Sequence, residues 1–272
     1  MHVTLGLKGS TSTRQYRNRL TYFPDTFEFY LDEDDFTPAG LTHLQRAIDE
    51  VKAVTPNIVL HQPMRFGDWF VEMVTPEQKM PELYRFLRFS SDKLIEIATK
   101  NNIQALLHGS YSRQTQAFID MYPSFEHAQA VVFDRLDNYA KQGGDHIMFE
   151  NSISPLFFYG DPEMDRQILE RHYRLAFDTS HCFIKAHGSN TVLAESLTRL
   201  RNHVVHYHLV DSYGETHDSL PLGVGHIDWQ KMLPLLNKKA SRIYEINLAD
   251  SAKATEMLIS HAYLTALAAT LK

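Results

Sequence analysis

Cysteine is almost missing from this sequence. Cys182 is the only one in 272 residues, so no intrachain disulfide can form. That usage fits a reducing compartment, and we expect a cytoplasmic protein. The opening Met1-His2-Val3-Thr4-Leu5-Gly6 has no basic stretch followed by an apolar one, which argues against a secretory signal. No apolar run approaches the ~20 residues needed to cross a bilayer, so no membrane partner is expected. An excess of positive charge is missing too. With 27 Lys+Arg against 33 Asp+Glu the formal charge is -6, which argues against a uniformly basic nucleic-acid-binding face but leaves room for a local basic patch. We find no linker, low-complexity run or internal repeat, and no G-x-G-x-x-G after the first strand. What is present is a 43% hydrophobic and 22% charged composition, enough for a large core and incompatible with global disorder. Fifteen histidines are the unusual feature.

Apolar periodicity alternates between two modes. Short β-branched and aromatic runs predict strands at 3–7, 26–31, 58–61, 103–108, 146–150, 175–178, 204–209 and 243–246. Helical stripes lie between them: Leu41, Leu44, Ile48 and Val51; Leu83, Phe86/Leu87, Ser90, Leu94 and Ile97; Trp229, Met232/Leu233 and Leu236. A last helix is predicted from about Asp250 to Leu271. Thr37-Pro38 and Asp161-Pro162 each offer a capping side chain followed by proline at the first helical position, and Asp228 and Asp250 are further cap candidates. Repeated strand–helix alternation requires parallel strands with right-handed crossovers. Eight units of 34 residues would use the whole chain, so the expectation is an α/β protein, a (β/α)8 barrel forming a single domain over 1–272. A doubly wound open sheet is the alternative.

Between the first two strands, at about 9–25, the pattern is irregular. Residues 1–20 carry Lys8, Arg14, Arg17 and Arg19 and no acid, whereas residues 25–35 carry six acids and no base. One reading is a solvated loop whose opposite charges partly neutralise each other. The other is a lid over the barrel mouth whose arginines face a phosphate.

In such a barrel the reactive residues sit at the C-terminal strand ends. The last side chains of strands three to eight are His61, His108, Glu150, Asp178, His208 and Glu245, all metal-ligand types, although Asp, Glu and His make up under a fifth of the chain. A divalent ion needs several imidazoles or carboxylates converging at about 2.0–2.2 Å, and rigid strands hold that geometry. The imidazole–carboxylate mixture suits zinc, manganese, iron or cobalt, and Glu150 could bridge two ions. His181 lies three residues beyond Asp178, Asp211 three beyond His208, and His217 in the long loop that follows. His206 shares a face with His208 but lies deeper, as a core histidine or a support for the ligands. A Cys182–His181 nucleophile–base pair is disfavoured because adjacent residues rarely orient that way.

Leu175-Ala-Phe-Asp-Thr-Ser-His181, Val205-His-Tyr-His-Leu-Val-Asp211 and Leu220-Pro-Leu-Gly-Val-Gly-His-Ile-Asp-Trp229 resemble the xylose-isomerase-like TIM-barrel superfamily. That group holds sugar (phosphate) isomerases and epimerases together with endonuclease-IV-type DNA repair enzymes. The resemblance implies a central metal on Glu150, Asp178, His208 and Glu245. It implies a second position at His61, His108 and Glu150, as in the endonuclease-IV-type branch. A third would use His181 with positions matching His217 and Ser219, and serine is a poor ligand. The aromatic–leucine pair which that branch carries after the strand-three histidine is Met64-Arg65 here, and the arginine of sugar-binding members after the strand-seven histidine is matched by Gly214 or nothing.

Two activities follow as expectations. The leading one is a divalent-metal-dependent isomerase or epimerase that moves a proton on a small sugar or sugar phosphate through an enediolate, with one to three ions per chain. Glu150 and Glu245 would act as base and acid and His181 would orient a hydroxyl. Lys8, Arg14 and Asp211 are the candidates for substrate contact. The alternative is an endonuclease-IV-like hydrolase of phosphodiesters at abasic sites, and a nucleic-acid partner enters only there. A barrel that binds without turnover is the third reading. The oligomeric state stays open.

Overall fold

The computed structural model describes residues 3–111 and 113–271; Met1, His2, Ser112 and Lys272 lie outside them. Among the described residues eight strands form one parallel sheet whose order follows the chain. They are β1 (Gly6–Gly9), β2 (Thr26–Tyr30), β3 (Ile58–His61), β4 (Gln104–His108), β5 (Ile147–Glu150), β6 (Leu175–Asp178), β7 (Val204–Leu209) and β8 (Ser241–Tyr244). A helix follows each: α1 (Thr13–Leu20), α2 (Pro38–Lys52), α3 (Pro81–Asn101), α4 (Phe125–Gly143), α5 (Pro162–Glu170), α6 (Asn190–Leu200), α7 (Trp229–Met232) and α8 (Thr255–Thr270). This is the (β/α)8 barrel that the alternation requires, not an open doubly wound sheet.

Local chemistry fixes the helix starts. Thr37 Oγ1 accepts the Gly40 N–H at 3.0 Å, and Pro38 needs no partner for a missing N–H. Asp161 accepts the N–H groups of Glu163 and Met164 ahead of α5, and Asp228 that of Lys231 ahead of α7. Along α2, Leu44, Ile48 and Val51 are buried against the strands. The ring closes where β1 meets β8, and glycine is needed there: a Cβ on Gly6 would lie 1.6 Å from the Arg242 carbonyl oxygen.

Four expectations need correction. The first strand lies three residues later at its N-terminal end than the apolar run Val3–Leu7, because pairing with β2 starts at Gly6↔Thr26. The last strand ends at Tyr244, which leaves Glu245 just beyond it. The last helix starts at Thr255, and Asp250 instead accepts the Ala252 N–H in the preceding turn. The irregular segment holds helix α1, which buries only Tyr16 and Arg19. Its charges do not form the expected exchange with residues 25–35. Arg17 pairs with Glu50 at 2.9 Å, Arg19 donates to the Lys8 and Ser251 carbonyls, and only Lys8 faces an acid of that set, Glu28.

Inside the barrel, Val59, Leu106, Met148 and Ala176 form an apolar cluster contributed by β3 to β6. Two residues further along each of those strands stand His61, His108, Glu150 and Asp178. Side chains two apart share a face of a strand, so this plug is the floor of the site. On the β2 and β7 side the same depth is polar, occupied by Glu28 and His206, both fully buried.

Candidate metal centre

Five side chains from the ends of β3 to β7 and Glu245, just past β8, converge on the mouth. At the centre, Glu150, Asp178, His208 and Glu245 each place one donor atom within 4.8 Å of the others. Nδ1 of His208 is 2.9 Å from Glu150 Oε1 and 2.5 Å from Glu245 Oε2. Asp178 caps the short helix Thr179–Lys185: its Oδ1 accepts the His181 N–H at 2.7 Å and the Ser180 hydroxyl at 2.8 Å. Its Oδ2 is left buried without a hydrogen-bond partner. Both oxygens of Glu150 and Nδ1 of His208 are likewise buried and unpartnered.

Glu150 Oε2 faces a second group. It lies 3.3 Å from His108 Nε2 and 3.6 Å from His61 Nε2, and those two nitrogens are 3.2 Å apart. His61 is oriented by its Nδ1, which donates to the Gln62 carbonyl at 2.8 Å. Donor atoms about 2.1 Å from one tetrahedral ion stand roughly 3.4 Å from each other, so the three atoms have the spacing such an ion needs. The third cluster is less complete. His181 donates from Nδ1 to the Asn151 carbonyl at 2.9 Å, and its Nε2 meets Nε2 of His217 at 2.8 Å, a hydrogen-bond distance. Ser219 Oγ is 3.3 Å from His217 Nδ1 and brings no carboxylate.

At His208 burial alone would lower the imidazole, but Glu150, Glu28 and Glu245 outweigh it and hold it well above the usual range, so an ion taken up at Nδ1 would displace a proton. Burial alone would raise the Glu150 carboxyl, but His208 and His108 outweigh it and hold it well below the usual range. Burial would likewise raise Glu245, yet Lys8 and His208 keep it ionised. Burial pushes His108 down to about 3, so its imidazole is neutral, as a ligand must be. Unpartnered buried carboxylate oxygens are costly unless a cation joins them. The donor set, free of thiolate, therefore fits divalent metal at the Glu150–Asp178–His208–Glu245 and His61–His108–Glu150 groups.

The three candidates for substrate contact are placed differently. Lys8, inward-facing on β1, is hydrogen-bonded to Glu245 and lies 3.8 Å from Glu28. Beside it a cavity of about 330 Å3 is bordered by Lys8, Gln15, Tyr30, His217, Glu245 and Asn247 among others. Arg14 is exposed on α1 and does not border this cavity. Asp211 is turned into its own loop, where Oδ1 accepts the N–H groups of Ser212 and Ile227 and Oδ2 those of Gly223 and the Trp229 indole. No oxygen is left over for a sugar, so the expected contacts of Arg14 and Asp211 are corrected: one is a surface cation, the other organises the loop. Cys182 is fully buried, and burial pushes its thiol up, which ends the nucleophile reading.

Sequence reasoning missed two carboxylates. Glu28 was grouped with the acids of 25–35, but the Phe27-Glu28-Phe29 setting within a strand points it into the barrel, where its Oε2 accepts from both His206 and His208. Glu72 gave no signal at all. It follows a small hairpin (Arg65–Phe66 with Trp69–Phe70) and is 1% exposed. Its Oε2 accepts from the Thr115 hydroxyl at 2.6 Å, the Ser110 hydroxyl at 3.2 Å and the Tyr111 N–H at 3.2 Å. Burial pushes its carboxyl up to about 7 in spite of these donors. It thereby anchors the loop whose Tyr111 ring packs edge-on against His108, 5.4 Å between centroids.

A family model described as xylose isomerase-like TIM barrel matches residues 93–259. No curated protein matches the sequence. Among solved structures, a D-tagatose 3-epimerase-like protein superposes with a TM-score of 0.73 at 17% identity, over 99% of this chain and 98% of that one. A Thermus thermophilus protein, in a structure soaked with zinc chloride, gives 0.65 at 19% identity over 99% of each chain. An AP endonuclease, family 2, from Brucella melitensis gives 0.62 at 13% identity over 96% of this chain and 99% of that one. At such identities these likenesses concern the fold. Among the described residues no helix is long and apolar enough to cross a membrane.

Proposed function

The chain belongs to the xylose isomerase-like TIM barrel family, and from that premise we propose that it is a divalent-metal-dependent epimerase or isomerase of a small sugar or sugar derivative. The observation that carries this reading is the cavity of about 330 Å3 set directly against Glu245. It lies at the lower end of the roughly 300–1,000 Å3 of small-molecule sites, room for one sugar unit. Its border mixes polar groups (Gln15, Tyr30, Asn247) with apolar Ile246, Leu248 and Met257, as a carbohydrate's edges and faces require.

A divalent ion at Glu150, Asp178, His208 and Glu245 would polarise a substrate carbonyl and its neighbouring hydroxyl, acidifying the intervening C–H. Glu245, its side chain 26% exposed and open to the cavity, is placed to take that proton at Oε2. Lys8 holds its other oxygen and keeps it anionic until then. Glu150, three strands away, fully buried and held as the anion, is the second carboxylate: it would take a proton from a substrate hydroxyl and deliver it to the other face of the enediolate, while Glu245 gives its proton to the oxygen so bared and both carboxylates end as they began. His217 borders the cavity and His181 lies behind it, Nε2 to Nε2 at 2.8 Å, so the pair would orient a hydroxyl. The metal identity is proposed as zinc or manganese, with cobalt or iron fitting the same donors.

The test is to incubate metal-loaded protein with a panel of ketoses and aldoses in deuterated water and follow the sugar C–H signals. Exchange and a new epimer or isomer are expected, with Glu245→Gln slower by about 10^2–10^4-fold. No exchange for any sugar would overturn the reading. The His61–His108–Glu150 group favours a second one, hydrolysis of a phosphodiester at abasic sites through a two-ion centre. Strand cleavage of an abasic duplex on a denaturing gel would establish it; an intact duplex would remove it.

A further inference from the structure

We propose that Glu28 is a positioning residue of the metal centre: by holding the Nε2–H of His208 it leaves Nδ1 as the only atom of that ring that can meet the ion. The inference rests on the metal-centre reading above, and not on which sugar is turned over. The two nitrogens of His208 are treated differently by their surroundings. Nε2 is 2.9 Å from Glu28 Oε2 in an aligned hydrogen bond. Nδ1 lies as close to two carboxylates, yet neither contact has hydrogen-bond alignment and the atom is left without a partner. One side of the ring is tied down; the other converges with Glu150, Asp178 and Glu245 on a common point.

Glu28 reaches this position from the far wall. It stands on β2, His206 and His208 on β7, so the carboxylate is a strut across the barrel interior, beneath the donors and level with the apolar plug. Oε2 also accepts from His206 Nε2 at 3.0 Å. A carboxylate only accepts, so the His206 nitrogen facing it carries a hydrogen, and His206 Nδ1 on the other side of the ring is 2.6 Å from the Ser241 hydroxyl. Lys8 Nζ, 3.8 Å from Oε1, supplies the counter-charge. The three side chains Glu28, His206 and His208 are close enough to hold an ion themselves. An ion there would need both Nε2 atoms stripped of hydrogen, and it would turn the remaining N–H of His208 toward the carboxylates where no aligned bond exists. Hydrogen bonding to a carboxylate is the usual way a ligating imidazole is held in one tautomer.

The test uses the full chain. In the zinc-loaded wild type, nitrogen-15 NMR of the histidine rings is expected to find His208 with hydrogen on Nε2; hydrogen on Nδ1 would overturn the proposal without any variant. Glu28→Gln keeps the shape but offers one acceptor oxygen and sets an N–H2 against the rings. Competition with a chromophoric chelator should then give zinc binding weaker by about 10–100-fold, at unchanged stoichiometry and with the Nε2–H signal of His208 lost or exchanging. A purely structural role would lower the melting temperature while affinity and tautomer stayed put, and affinity within about twofold of wild type overturns the proposal. Loss of one ion equivalent with the His208 signal intact would overturn it too, since Glu28 would then be a ligand. All readouts are independent of sugar turnover, so a negative sugar assay and a failure of this proposal are distinguishable.

Discussion

Nε2 of His61 and Nε2 of His108 stand 3.2 Å apart, and both face one oxygen of Glu150. That oxygen is buried and takes no hydrogen bond from either ring, a costly arrangement unless a cation joins the three atoms. His108→Ala should therefore lower the metal content of the purified protein by one equivalent. Asp178→Asn should deplete the other position, which does not use His108. Elemental analysis of both variants decides this; a full complement in His108→Ala would refute a second position.

Glu72 predicts a pH dependence. Its carboxyl titrates near 4.5 when unperturbed but is pushed up to about 7 in the folded chain. The folded state binds this proton more tightly, so the group's contribution is fully present below about 4.5 and is lost as the pH rises through about 7. Glu72→Gln keeps an acceptor for Thr115, Ser110 and the Tyr111 N–H and has no proton to lose. Between about pH 5 and about pH 8 the wild type should lose about 2 kcal/mol of stability relative to that variant. Urea midpoints of the two proteins, compared across the range, measure it, and parallel curves would contradict it.

Asp211 predicts a stability loss. Four N–H groups share its two oxygens, and Gly225 leaves the room, since a Cβ there would lie 2.4 Å from Oδ1. Asp211→Ala strands these donors in a buried loop, at a cost of about 3–5 kcal/mol. A denaturant midpoint corresponding to less than about 1 kcal/mol would show that water replaces the carboxylate.

The barrel was legible because strand and helix periods alternate with strong caps, and Thr37, Asp161 and Asp228 all act as read. Helix α1 was not, because Thr13–Leu20 buries a tyrosine and an arginine and has no apolar stripe. The six donors could be picked out because they are metal-ligand types at the C-terminal ends of predicted strands; four of them, His61, His108, Glu150 and Asp178, stand two residues beyond the apolar plug and share its face. Glu28 escaped. Its place between Phe27 and Phe29 marks it as inward-facing, but its charge groups it with the acids of 25–35, and nothing local says that its partners lie 178 and 180 residues away. Lys8 reads as a candidate for substrate contact, and its pairing with Glu245 and Glu28 was not foreseen. Charge pairing across a barrel is set by closure of the ring, which no window of sequence contains.

One consequence attaches to Glu150. It offers Oε1 to His208's side of the mouth and Oε2 to the two imidazoles of β3 and β4, so a single side chain serves both positions. Whichever fills first draws on the shared electron density, and the newcomer meets a depleted donor as well as a like charge nearby. Loading is then antagonistic: a titration should climb in two separated steps, and a cell short of metal would hold half-filled barrels in preference to a mixture of full and bare ones.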